Sequence, residues 1–382
     1  MSTPALGRPT APVLVQTVTG PVPVEELGIT LPHEHIFNDL SEALYPGIRP
    51  FSRDLAHVPV TPANAWLLRE DPYSSADNCG FDENDMETIV AELAPFTEAG
   101  GRTIINSTTG SGRRPAALVE TARSTGLQIV MSGGWCLSHG DVHTLTDADV
   151  AAMTAELVGE IRDGVELPGG ERVRVGSIGE IGVGPSFTAA ERATLVASCL
   201  AQVQTGVPLF IHLPGWQRRG HEVLDIVAEH GVDPAAVVLC HMDPSGKDTV
   251  YQREIADRGV WLEFDMIAME LNFPGEGQSP SVQDTVDAVA GLLRDGHGDR
   301  LLLSHDMFLK VQWARNGGSG FAYVPVAFLP RLVEAGVDFA AAHRLMTTNP
   351  AALFTAAVRT APQVPGRESS AGAFTRRSCA GP

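Results

Sequence analysis

Short apolar runs rich in β-branched residues alternate along this chain with longer stretches in which apolar positions recur every three to four residues. The short runs fall at 29–36, 103–107, 128–132, 173–181, 207–213, 236–241, 259–265 and 300–305, and they predict eight strands. Helical periodicity occupies the segments between and after them, 83–99, 114–125, 147–163, 189–205, 220–230, 247–258, 281–296 and 322–334, with 339–347 closing the series. Gly100, Gly126, Gly231, Gly259 and Gly336 each follow a helical stretch, where a left-handed residue commonly ends a helix. Strand and helix alternation on this scale predicts a parallel sheet with right-handed crossovers.

A length of 382 residues suits either one (β/α)8 barrel with insertions or two ordinary domains, so length alone leaves both open. The segment 41–81 breaks the rhythm, with prolines at 46, 50, 59, 62 and 72 and with Tyr45, Trp66 and Tyr73 among them. A stretch of that length without periodicity predicts a functional lid or a subunit contact, the latter in a possible homodimer. Residues 1–12 and 358–382 lack apolar periodicity and are expected to fray, leaving 13–357 as the folded unit.

Composition narrows the partners. With 27 basic and 46 acidic side chains the formal net charge is −19, which opposes binding to nucleic acid or to an anionic membrane face. A 43% hydrophobic content is enough to build a large core. No run approaches the roughly 18 apolar residues of a membrane span, and the first residues lack a secretory signal's pattern, so a cytoplasmic location is expected. Cys79, Cys136, Cys199, Cys240 and Cys379 are scattered and form no CxxC pair. That argues against a disulfide framework or a thiolate zinc site, and it predicts that any metal is held by nitrogen and oxygen.

Candidate chemistry begins at Leu31-Pro32-His33-Glu34-His35-Ile36. On a strand, His33 and His35 project to one side and Glu34 to the other. Glu180, His212, His241 and Asp306 each stand at the C-terminal end of a later apolar run, which is the active-site face of a barrel. A barrel of about 250 residues gives roughly 31 residues per unit. From Glu180 to His212 is 32 residues and from His212 to His241 is 29, one unit each, while His241 to Asp306 is 65, two units. From His35 to Glu180 is 145, three units plus an insertion the size of 41–81. The six residues therefore map to strands 1, 4, 5, 6 and 8 of one barrel. His305, next to Asp306, should face the helical shell instead.

The series LPHEHI, GEIG, IHL, CHMD and LLLSHDM, with Gly317-Gly318 after the last strand, resembles the phosphotriesterase-related family of the amidohydrolase superfamily from about Val13 to Ala357. The resemblance implies a (β/α)8 barrel with a binuclear centre of two divalent metal ions, zinc in the usual case and manganese or cobalt as alternatives. It assigns His33, His35 and Asp306 to the more buried ion, His212 and His241 to the more exposed one, and Glu180 to a bridge between them. Founding phosphotriesterases bridge with a carboxylated lysine; Glu180 matches the related-protein branch, which weakens an organophosphate reading.

Two such ions lower the pKa of a shared water and polarise a carbonyl or phosphoryl oxygen, and Asp306 is the candidate general base. Trp135, His139, Trp216, Lys310, Trp313 and Arg315 follow strands 3, 5 and 8 and are candidates for contact with a small-molecule substrate, Lys310 through an anionic group. Lactone or carboxyl-ester hydrolysis is the first expectation, with amide hydrolysis, deformylation and phosphotriester hydrolysis as alternatives on the same centre. A TatD-like nuclease shares the GEIG strand but conflicts with the acidic balance. A non-catalytic metal-holding protein conflicts with six intact ligand-type residues.

Overall fold

All eight predicted runs form strands: β1 Ile29–Glu34, β2 Gly101–Asn106, β3 Gln128–Gly133, β4 Ser177–Gly182, β5 Leu209–His212, β6 Val237–Leu239, β7 Trp261–Phe264 and β8 Leu301–Leu303. The computed structural model describes residues 12–40, 44–45, 47–136 and 147–360. The strands lie side by side in chain order and every pair in the sheet is parallel. Helices α1 Met86–Glu98, α2 Pro115–Thr125, α3 Asp147–Arg162, α4 Ala189–Thr205, α5 Gly220–Glu229, α6 Thr249–Asp257 and α7 Val282–Arg294 connect them. The result is a (β/α)8 barrel.

The strands read as continuous apolar runs because both faces are covered. Ile105, Val130, Phe210, Val238, Trp261 and Leu302 meet one another in one buried cluster. Their neighbours Ile104, Ile129, Ile211, Leu239, Leu262 and Leu301 join the helix residues Leu93, Leu118, Leu195, Val223, Ile255 and Val289 in another. That is the period-two alternation of a barrel wall, one side chain in and the next out. The inner cluster extends to Val15 and Leu27 in the first described segment and to Leu353 and Phe354 in the last, so these two segments pack together on the barrel interior.

Closure between β8 and β1 combines a backbone bond from Asp306 N to His33 O with a set of side-chain bonds. Ser304 Oγ accepts from His33 N at 3.1 Å and donates toward His33 O at 2.9 Å. The buried Glu34 carboxylate faces Ser304 Oγ at 2.7 Å, and it accepts from His305 N at 3.0 Å, from Met307 N at 3.0 Å and from the His305 ring at 2.7 Å. His305 Nε2 in turn accepts from Val324 N at 3.0 Å. The strand alternation expected for Glu34 and His305 therefore holds, and these two residues face away from the site.

Several elements differ from the expectation. Leu14–Thr17 pairs antiparallel with Gly20–Pro23. The run at 173–181 splits, because Arg172–Val173 pairs with Val165–Glu166 in a separate ribbon before β4 begins. The stretch 322–334 is a π-helical turn, Val324–Phe328, that passes into α8 Leu329–Glu334, with Pro325 and Pro330 each lacking a donor. After α9 Phe339–Arg344, a further helix, α10 Thr348–Thr360, runs past the boundary expected at 357. The fraying expected for 1–12 and for the tail falls, up to 11 and from 361, outside the described residues. Among the described residues no helix is long and apolar enough to cross a membrane.

The segment 41–81, where described, is ordered. Asn38–Asp39 pairs with Gly80–Phe81 at its base. Buried Asp71 accepts from Tyr45 Oη at 2.7 Å, from Ile48 N at 3.1 Å and from Ser52 Oγ. Leu55, Leu68 and Cys79 pack on Met266, Leu271, Phe273, Phe308 and Leu309, residues that follow β7 and β8. The insertion thus caps the C-terminal ends of the last two strands.

Glu34→Ala removes the acceptor shared by three N–H donors at a buried seam. It is expected to lower the unfolding free energy by about 3 kcal/mol or more, measured by urea denaturation of the full chain. A loss below about 0.5 kcal/mol, the scale of an ordinary surface substitution, would mean that Glu34 does not close the barrel.

Candidate metal centre

The six residues singled out by spacing meet at the C-terminal mouth. His33 lies within β1 and His35 one residue past its end. Glu180 lies within β4, and His212 ends β5 opposite Gly182. His241 and Asp306 stand just beyond β6 and β8, at φ 58° and 52°. Positive φ is costly for non-glycine residues and is concentrated at functional positions. Backbone bonds hold both turns: Asp306 N donates to His33 O at 3.2 Å, and His241 N donates to both Asp265 oxygens at 3.1 Å.

Glu180 lies at the middle. Its Oε2 is 3.5 Å from His33 Nε2 and 3.6 Å from His35 Nε2, while its Oε1 is 2.9 Å from His241 Nε2 and in close contact with His212 Nδ1. Asp306 Oδ1 lies 3.1 Å from His35 Nε2 and 3.6 Å from His33 Nε2. His241 Nε2 and His212 Nδ1 face each other at 2.9 Å. One carboxylate therefore touches two pairs of imidazoles, one pair on each oxygen.

The outer nitrogens are held from behind. His33 Nδ1 lies 2.9 Å from Glu263 Oε2 and 3.2 Å from Asp265 Oδ2, and His241 Nδ1 lies 2.8 Å from Asp265 Oδ1. His35 Nδ1 is 2.8 Å from Thr108 Oγ1, whose hydroxyl donates to Phe37 O at 2.7 Å. Asp265 N and Met266 N both donate to Asp243 Oδ2, at 3.0 and 3.1 Å. A carboxylate behind a histidine fixes its tautomer and aims the opposite nitrogen inward.

These donors fit metal ions. His33 Nε2 is fully enclosed and has no hydrogen-bond partner, although it points at two carboxylate oxygens. Imidazole nitrogens and carboxylate oxygens turned toward one another form a donor set for divalent cations. The electrostatics agree. Burial disfavours a charged ring at His33, but Cys240, Glu180 and Asp265 around it outweigh burial and hold its pKa well above the usual range. His241 behaves alike, burial being overcome by Asp265 and Glu180. Burial also opposes ionisation of Glu180, yet His212 and His33 keep its pKa well below the carboxylate norm. Asp265 is likewise lowered, against burial, by His241 and His33. Burial pushes Glu263 and Asp243 up to about 7.

Substrate candidates fall differently. Trp135 is half-buried against the core, and its carbonyl accepts from Gly182 N at 3.3 Å. Trp216 packs on Phe273 and lines a cavity of about 590 Å³ with Pro244, Lys247 and Glu270; none of the six central residues lines that cavity. Lys310 Nζ is paired with Asp77 at 2.9 Å and Asp85 at 3.1 Å, joining the β8 loop to the segment at the base of the insertion. Arg315 donates to Thr88 Oγ1 at 2.9 Å, and Trp313 is buried against Phe81. His139 lies outside the described residues. Sequence reasoning missed Asp265, Glu263 and Thr108. Asp265 ends the run 259–265, so the strand-end criterion that found the other donors could have found it.

A parallel barrel with four imidazoles and two carboxylates converging at its C-terminal mouth defines the class of metal-dependent hydrolase barrels. Residues 13–354 match the phosphotriesterase family, and the chain belongs to that family of hydrolases. A solved resiniferatoxin-binding protein from Rhodobacter sphaeroides superposes with a TM-score of 0.84 at 42% identity, covering 90% of this chain and 95% of that one. A phosphotriesterase-related protein of Nematostella vectensis is 31% identical over 88% of this chain and 97% of its own length. An N-acetyltaurine hydrolase of Danio rerio is 30% identical over 88% of this chain and 96% of its own.

Two outcomes follow. Asp265→Asn is expected to keep the fold but weaken metal affinity about 10–100-fold, read by competition with a chelator; unchanged affinity would remove its aiming role. Because His33 and His241 hold protons tightly in the metal-free chain, uptake must displace those protons. Affinity should therefore fall as pH is lowered from about 8 to about 6, and a flat profile would contradict the raised histidine pKa values.

Proposed function

We propose that this chain is a binuclear metal-dependent hydrolase of a small, uncharged carboxyl ester or lactone. His33, His35 and Asp306 would hold the more buried ion and His212 and His241 the more exposed one, with Glu180 available to both. The carrying observation is the placement of Glu180, with an imidazole pair at each oxygen. Zinc is the favoured metal, since neutral imidazoles with carboxylates suit it well.

Bound there, two divalent ions supply a Lewis acid for the carbonyl and lower the pKa of a water to near neutrality. The rest belongs to the chain. Asp306 Oδ1 is directed at His35 Nε2, and its second oxygen accepts the proton of the attacking water and returns it to the leaving alkoxide as the acyl C–O bond breaks. The products are a carboxylic acid and an alcohol, joined in one molecule when the substrate is a lactone.

The surroundings support an uncharged substrate. Phe308 lies edge-on to His35 with ring centroids 6.4 Å apart, and Phe308 and Phe273 stack at 6.5 Å with Tyr73 against both. This apolar wall suits a hydrophobic acyl or alcohol group. Lys310, the cation expected to meet an anionic group, is occupied by Asp77 and Asp85. The 42% identical neighbour is named for binding resiniferatoxin, and the more distant relatives for hydrolysing N-acetyltaurine. The latter name makes amide hydrolysis the second reading.

The test is a zinc-loaded preparation assayed on matched lactones, carboxyl esters, N-acyl amides and phosphotriesters. Highest kcat/KM on an ester or lactone supports the proposal, and highest kcat/KM on an N-acyl amide replaces it with the second reading. Asp306→Asn should lower kcat on the preferred substrate by about 10²–10⁴-fold, and full activity in that variant would exclude it as the base. Lys310→Met should lower thermal stability and leave the KM ratio between anionic and neutral substrates unchanged; a selective rise in KM for the anionic ester would restore Lys310 to substrate binding.

A further inference from the structure

Strands β1, β4, β5, β6 and β8 end in the six central residues, and β3 ends beside them with a thiol. Cys136 stands three residues past Gly133, the last residue of β3. Its backbone is pinned on two sides: Cys136 N donates to Thr109 Oγ1 at 3.1 Å, and Gly182 N, on β4, donates to the carbonyl of Trp135 at 3.3 Å. One donor atom each of Cys136, Glu180 and His212 lie within 4.8 Å of one another. Glu180 also faces the enclosed His33 Nε2, which has no hydrogen-bond partner, so this trio adjoins the central donor set.

The chemistry of the trio is specific. Donor atoms around a tetrahedral zinc ion stand about 3.3–3.8 Å apart, given Zn–N near 2.0 Å and Zn–S near 2.3 Å. Drawing three donors from a 4.8 Å envelope to that spacing needs a movement of about 1 Å. The other described thiols are placed otherwise: Cys79 and Cys199 are buried away from the six residues, and Cys240 sits behind His33 with Glu263 and Asp265.

We infer that Cys136 is a sulfur ligand of the more exposed metal ion, alongside His212, His241 and Glu180. This rests on the binuclear reading given above and goes beyond the all-nitrogen-and-oxygen donor set that the cysteine spacing suggested. On binding, the thiol gives its proton to solvent and its sulfur forms the bond to the ion. A thiolate biases that site toward soft or borderline cations such as zinc, cobalt and cadmium over manganese. It also adds a negative charge to the exposed ion's shell, making that ion the weaker Lewis acid of the two.

Cobalt(II) tests the assignment spectroscopically. The full chain is loaded with cobalt, its metal content is measured, and its near-ultraviolet spectrum is compared with those of Cys136→Ser and Cys240→Ser. The expected result is about two cobalt ions per chain in all three proteins, with a sulfur-to-cobalt charge-transfer band in the wild type and in Cys240→Ser that is lost in Cys136→Ser. In a metal competition, the zinc-over-manganese preference of Cys136→Ser should fall about 10-fold. Two cobalt ions without the band, or a band that survives Cys136→Ser, overturns the inference and leaves the binuclear reading standing. Wild-type protein that takes up only one cobalt overturns the binuclear reading and this inference with it.

Discussion

Two imidazoles on separate strands can aim at a common point only if their outer nitrogens are held, and Asp265 holds both. Its carboxylate meets His33 Nδ1 from β1 and His241 Nδ1 from β6, and it also accepts the backbone N–H of His241, a residue in a left-handed conformation. Asp265 is itself positioned by Asp243, which accepts from the backbone N–H groups of Asp265 and Met266 and from Thr285 Oγ1 at 3.1 Å. The order of dependence runs from helix α7 through Asp243 to Asp265, and from there to the two histidines. A change to Asp243 would therefore reach the centre without touching any of the six donors.

That arrangement concentrates negative charge where solvation is absent. Glu180, Glu263, Asp265 and Asp243 are all buried, within a mouth that also encloses Asp306 and Cys240. Buried charges of one sign are costly unless compensated. Part of the compensation is visible in the proton affinities: His33 and His241 are pushed up, while Glu263 and Asp243 move toward the neutral acid form at about 7. The metal-free chain answers excess negative charge by holding protons, and divalent ions between the inner nitrogens would answer it directly. The positive φ at His241 and Asp306 is local strain of the same origin, since both residues turn out of their strands to bring donors inward.

Legibility in the sequence followed the strength of the periodic constraint. The eight strands were readable because a barrel wall buries both faces, and the six central residues were readable because each sits at a strand end in phase with the repeat. Asp265 obeys the same rule as the last residue of the run 259–265, but nothing in the linear sequence sets it apart from an ordinary polar strand terminus. Cys136 was hidden by its loop: three residues past a strand end, only the pinning of the Trp135 and Cys136 backbone brings it to Glu180. The helix α10 and the first hairpin were hidden because their burial is set by tertiary contact. Leu353, Phe354 and Val15 cover the inner cluster of the barrel, a role that short segments do not announce by period.

Lys310 shows how one pairing shifts a functional reading. Its distance of four residues from Asp306 invites an anion-binding role, and nothing in the linear sequence reveals that Asp77 and Asp85 approach it from the far side of the insertion. Once those pairs are formed, the ammonium serves to fix the β8 loop to the segment at 76–85. The same loop carries Phe308 against His35 and is braced by Gln312, which accepts from Phe308 N and Leu309 N and donates to Asp306 O. On the proposed reading the cation acts on the site through position, by keeping an apolar ring beside a ligand-type histidine. In a chain of net charge −19, recruiting an anion would work against the field of the whole molecule, whereas an uncharged ester meets no such opposition.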